Sequence, residues 1–196
     1  MPVSMYAISV PVMQRMMRNL IAVLDKAEAH AKAKKIDEAV VVNARLALDM
    51  FPLKRQVQIA SDTAKLSVSR LAGTKAPRWE DNEETFAELK GRLQKSIDFL
   101  ATFEATQIDG SEDRDISLTL FGQPAALKGQ SYLLNHALPN FFFHVTTAYN
   151  ILRLCPSSNH LRPIGGLCTG VSGPSMIEVK LRFGDASSGG AGWCCA

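Results

Sequence analysis

Four long stretches of this chain place apolar residues three and four positions apart, and that periodicity constrains the fold more than any motif. In the first stretch Met5, Ile8, Val12, Met16, Leu20 and Val23 run on into "DKAEAHAKAKK". This predicts a helix from about Ser4 to Lys34, distorted early by Pro11. The second is expected to start at the N-cap Asp37, pass through "EAVVVNARLALDM", kink at Pro52 and end at Gly73. "TKAPRWEDNE" reads as a loop in which Asp81 and Glu84 have capping-box spacing and favour the start of the third helix through its dipole. That helix, roughly 83–102, carries Phe86, Leu89, Leu93, Ile97 and Leu100 on one face. Alternation at Ile116, Leu118 and Leu120 before "FGQP" predicts a hairpin, and a fourth helix follows over about 130–153. Four long helices with short connections make an all-α antiparallel bundle, with Met13, Met16 and Met17 as core filler.

The periodic part, residues 1–154, is read as one domain, and residues 155–196 as an irregular tail. The tail holds 8 of the 13 glycines and all four cysteines, Cys155, Cys168, Cys194 and Cys195. Only "SMIEVKLRF" alternates well enough for a strand, so the tail is expected to be a disordered or gene-model-derived extension. Cys155, His160 and Cys168 with Cys194 or Cys195 have unorthodox spacing for a metal site. A body without cysteine points to an intracellular, cytoplasmic protein. The formal net charge of +3 comes with no clustered basic run, so no nucleic-acid partner is expected, and no apolar run is long enough to span a membrane. The N-terminus lacks an acid before Asp25, as a transit peptide would, but its helical spacing favours a core helix.

The strings "MYAISVPVMQRMMRNL", "KIDEAVVVNARLALDMFPLKRQVQIASDTAK", "WEDNEETFAELKGRLQKSIDFL" and "ALPNFFFHVTTAYNILR" resemble, in order and over about residues 2–154, a domain-of-unknown-function family of bacteria and filamentous fungi. That family is similar to the DinB-like superfamily of four-helix-bundle metalloproteins. The resemblance implies the bundle fold and, because such relatives dimerise through helix faces, a homodimer. The tail departs from it. The superfamily's three-histidine metal site has two ligands one helical turn apart on the last helix, whereas here His136, Asn140 and His144 occupy the four-residue steps. On a regular helix about 12 Å of rise separates His136 from His144, against Zn–N bonds of roughly 2 Å. Helix two offers Asp49 and no histidine, and His30, in a charged stretch, reads as solvated. No metal or other cofactor is therefore assigned; a weakened His, Asp and Asn site stays open.

Arg45, Asp49, Pro52 and Gln56 share one face of the expected second helix, so they form either an exposed ion pair or the polar edge of a cavity. His136, Asn140 and His144 lie on the flank of the apolar arc marked by Leu134, Phe141, Ala148 and Leu152, beside Leu133, Phe143 and Ile151. Polar groups beside aromatics at a helix seam describe a small-molecule pocket or a set of satisfied core side chains. In the pocket reading His144 or His136 is the general acid or base, Asp49 its partner, Arg45 an anchor for an anionic or enol oxygen, and Tyr149 an auxiliary donor. Asn140, Gln56 and Phe143 complete the ligand contacts. Isomerisation, dehydration or cyclisation of a small apolar or aromatic molecule, as in secondary metabolism, would suit these groups. The alternatives are a non-catalytic homodimeric or partner-binding bundle and a degenerate metal-dependent transferase.

Overall fold

The computed structural model describes residues 4–120 and 122–154. Four long helices, α1 (Met5–Lys34), α3 (Leu53–Ala72), α4 (Phe86–Leu100) and α7 (Leu138–Leu154), form an antiparallel bundle. Short elements link them: α2 (Glu38–Val42), α5 (Ala105–Ile108), a hairpin of β1 (Asp115–Leu120) and β2 (Gln123–Lys128), and α6 (Gly129–Tyr132). Both α1 and α3 pack against α4 and α7, with the most extensive packing between α3 and α7. The tail and its cysteines lie outside the described residues.

α1 continues through Pro11 as one helix, capped by the Ser4 hydroxyl, which accepts from the Ala7 N–H and donates to Asp109. Its buried line is Met5, Met13, Met17, Leu20 and Leu24, with Ile8 and Met16 on the flank. On α4 all five expected residues, Phe86, Leu89, Leu93, Ile97 and Leu100, are buried. The cap of α4 lies further on than the sequence suggests: Thr85 is the N-cap and forms the capping box with Glu88. Asp81 and Glu84 are free for other work. Glu84 meets Lys54, while Asp81 joins Asp62 and Glu83 around Arg92, whose side chain is only 2% exposed. Arg92 Nη1 also donates to the Glu80 carbonyl, so one guanidinium ties the α3–α4 connection to both helices. Burial alone would lower the Arg92 pKa, but the Glu83 hydrogen bond and the charges of Asp62, Glu83 and Asp81 outweigh it and raise it.

Between α2 and α3 the expected continuous helix is replaced by a ten-residue loop, 43–52. Pro52 has no N–H for the Leu48 carbonyl and disfavours helical geometry at Phe51, so α3 starts afresh after it. The loop ends meet where the Leu53 N–H donates to the Ala44 carbonyl at 2.8 Å. The second departure precedes α7. Leu133–Ala137 forms a π turn, closed by the Leu138 N–H donating to the Leu133 carbonyl, immediately ahead of Pro139, which has no N–H to give. The wider turn rotates the upstream wheel, so Leu133 is buried and Leu134, expected in the core, is exposed.

The hairpin is antiparallel with Asp115 opposite Lys128 and Leu120 opposite Gln123, and Gly122 takes a φ of 78° in its tight turn. It leads straight into Gly129, where a Cβ would stand 1.9 Å from the Ser111 carbonyl oxygen.

Candidate functional site

Two side-chain hydrogen bonds cross the seam between α3 and α7, and a third ties α3 to Tyr132 at the end of α6. Near one end His144 Nδ1 lies 2.6 Å from Gln56 Oε1. Further along, Asn140 Nδ2 donates to Thr63 Oγ1 at 3.0 Å. At the far end Arg70 Nη1 donates to the Tyr132 hydroxyl at 2.9 Å, with the guanidinium over the phenol ring. On α3 these partners recur every seven residues, so Gln56, Thr63 and Arg70 share one stripe. On the other side Tyr132, Asn140 and His144 follow four-residue steps, and His136 fills the missing step by lying against the Tyr132 ring at a centroid distance of 5.6 Å.

Gln56 fixes the chemistry of His144. Its amide nitrogen donates to the Phe51 carbonyl at 3.0 Å, which leaves Oε1 as an acceptor. His144 Nδ1 must then carry the proton, and Nε2 keeps the lone pair. His144 is 8% exposed. Burial, and secondarily the nearby charge of Arg55, push its pKa below the ordinary histidine value, so the ring is neutral at pH 7.

Arg45 and Asp49 are not on this face. Both sit exposed in the 43–52 loop, and the Arg45 guanidinium makes a long contact of 3.4 Å to the Leu48 carbonyl of the same loop. The helix on which their spacing would have aligned them does not form, so Gln56 holds the place beside His144 expected for Asp49. Phe143 is exposed with its ring 5.1 Å from that of His144, and Tyr149 is half-buried against the core. His30 is half-buried rather than solvated, and its Nε2 is buried without a hydrogen-bond partner.

The three-histidine centre implied by the resemblance does not fit these residues. Among the described residues no group of three or more His, Cys, Asp or Glu is arranged to hold a metal ion. His144 Nδ1 is engaged by Gln56, His136 is stacked on Tyr132, and the intervening step is an amide bound to Thr63. Also among the described residues, no helix is long and apolar enough to cross a membrane.

The pairing of Gln56 with His144 was half legible, since both stood among the candidates. Thr63, Arg70 and Tyr132 were missed. The seven-residue step from Gln56 to Thr63 and again to Arg70 was the available signal, hidden because Thr63 is ordinary on a helix and Arg70 reads as a solvated end.

Comparison with known proteins agrees with this architecture. The chain matches a domain of unknown function, DUF1993, over residues 5–155. It is similar to the crystal structure of a DinB family member protein from Shewanella denitrificans, with 42% identity, 76% of this chain and 84% of that chain covered, and a TM-score of 0.68. No curated protein matches it. With a bundle of this form and a match over most of its length, the chain belongs to the DUF1993 family and has a DinB-like relationship.

Proposed function

We propose that the chain binds a small apolar or aromatic organic molecule beside the α3–α7 seam, with His144 as the group that handles a proton there. The single observation that carries the proposal is the Gln56–His144 contact of 2.6 Å. An imidazole that is neutral at pH 7, held in one tautomer by a neighbouring amide, is a general base with its lone pair fixed at Nε2. The surroundings suit an apolar ligand. Phe51 shares its carbonyl with Gln56, the Phe143 ring meets His144 edge-on, and the two phenylalanines are 56% and 53% exposed. Proton abstraction in an isomerisation, dehydration or cyclisation is the chemistry such a group can perform.

The test is NMR of histidine-labelled protein titrated with a panel of small aromatic compounds. The expected result is an Nδ1–H tautomer at His144 and saturable perturbation of its ring by a subset of the panel, lost in Phe143→Ser. An Nε2–H tautomer, or a ring unmoved by every compound, overturns the proposal.

One observation favours a second reading, a homodimeric or partner-binding bundle. Leu48 is 93% exposed in the same loop that carries Phe51, leaving apolar surface of the kind that proteins bury against one another. Sedimentation equilibrium decides it for self-association: a dimer that Leu48→Glu converts to monomer supports this reading, and a monomer at high concentration rejects it.

A further inference from the structure

Away from the α3–α7 seam, the α3–α4 connection and α4 enclose an open cleft of about 460 Å³. Its lining includes Arg78, Trp79, Glu80, Gly91, Arg92 and Lys95. That volume is in the range of sites for small organic molecules.

The floor is closed and its charges are balanced. Arg92 is held by Asp62, Asp81 and Glu83, Arg55 also pairs with Asp81, and the adjacent Lys65 is nearly buried against Asp62 at 2.7 Å, so three cations meet three carboxylates. The rim is different. Among the described residues, Arg78 and Lys95 form no ion pair, and the one other charged group on the rim is the exposed carboxylate of Glu80. Lys95 stands instead over the Trp79 ring, 4.8 Å from its centroid, and Lys65 approaches the same ring at 4.2 Å. The Phe99 ring meets the indole edge-on at 6.1 Å and fixes its plane. The half-buried indole thus carries two ammoniums beside a free guanidinium, and swinging the exposed Lys95 side chain off the ring would open a stacking surface next to two hydrogen-bond donors of one sign.

Gly91 supplies an independent observation. It lies in the interior of α4, where glycine costs helix stability relative to alanine. Nothing in the chain requires it, since a Cβ there would meet no atom within 4 Å. Its backbone is instead a bare patch of the cleft wall, where a side chain would stand in the space a ligand would use.

We infer that this cleft is a second binding site, for a planar aromatic molecule carrying a carboxylate. The ring takes the place of the Lys95 ammonium against Trp79, and the displaced Lys95 and Arg78 take the carboxylate. The site is separate from the His144 seam, so either can fail without the other.

The experiment uses the full chain and 1-naphthoate as the probe, with 1-naphthalenemethanol as the uncharged control. Binding is followed by calorimetry and by the indole N–H resonance of Trp79, assigned with Trp79→Phe. The expected result is saturable naphthoate binding with Kd below about 1 mM and a shift of the Trp79 resonance. Lys95→Glu and Gly91→Phe, both at exposed positions, each weaken it by about tenfold or more, while His144→Gln leaves it unchanged. Circular dichroism of each variant confirms that the fold is kept; should Gly91→Phe not fold, Lys95→Glu and Arg78→Glu decide. Absence of binding overturns the site. Binding insensitive to these charge reversals, or matched by the alcohol, overturns the assignment of an anionic ligand.

Discussion

Nδ1 of His144 and Oε1 of Gln56 stand 2.6 Å apart although 88 residues separate them in the chain, and this contact decides which proton His144 can carry. It also sets a pH dependence. The folded state lowers the pKa of His144, through burial first and Arg55 second, so the unfolded chain binds the proton more readily. Stability from this residue is therefore fully present above the ordinary histidine pKa near 6.5 and is lost as pH falls through the folded value. Urea unfolding at pH 7.5 and 5.5 should show a loss in the wild-type protein. In His144→Phe that loss should be smaller, and an equal loss would place the titration elsewhere.

Asn140 and Thr63 form the middle bond of the seam, both partly buried. Truncating either one should cost about 1–2 kcal/mol, because its partner is left without a bond away from water. The double variant Asn140→Ala, Thr63→Ala should cost less than the sum, with a coupling of about 0.5–1.5 kcal/mol by denaturant titration. Strict additivity would mean that the two side chains do not interact in solution.

Arg92 and Arg45 separate a buried charge from an exposed one. Arg92→Met removes the cation shared by three carboxylates, leaving Glu83 without an ion pair while Asp62 keeps Lys65 and Asp81 keeps Arg55, and a loss of about 3 kcal/mol is expected. The lower end of the range applies because Asp62 and Asp81 are partly open to water. Arg45→Ala and Asp49→Ala, in the exposed loop, should each change stability by no more than about 0.5 kcal/mol. Thermal unfolding of the three variants side by side checks the ordering.

Two glycines should respond in opposite directions. Gly129→Ala drives a methyl into the Ser111 carbonyl, where backbone must move, and should destabilise by about 1–3 kcal/mol. Gly91→Ala meets nothing and should stabilise by about 0.5–1 kcal/mol. Midpoints moving in the same direction would contradict the geometry around one of them.

The bundle was readable because burial of an amphipathic helix leaves a three-and-four spacing in the sequence, as Phe86, Leu89, Leu93, Ile97 and Leu100 show on α4. The helix expected between Asp37 and Gly73 failed at residues 43–52. There the spacing of Arg45, Asp49 and Gln56 continued across Pro52, but the backbone could not. Spacing records which side chains would align if a helix formed and says nothing about the missing proline donor. Leu134 was misplaced for a related reason, since one π turn offsets the wheel of every residue before it. Asp81 was assigned to a helix cap because capping is a local rule, whereas its partners Arg55 and Arg92 come from two different helices. At the site, single candidates such as His144 and Gln56 were visible, but their pairing depends on the approach of α3 to α7, which no local pattern encodes.

The two polar rows that meet at this seam have unequal pitch. Gln56, Thr63 and Arg70 are spaced by about 10 Å along their helix axis, and Asn140 and His144 by about 6 Å. Like the two scales of a vernier, such rows coincide at one setting. Sliding α7 by a turn along α3 would leave the Gln56 and Asn140 amides and the Thr63 hydroxyl facing hydrocarbon, so the mismatch discriminates against misaligned packings that the uniformly greasy core would tolerate.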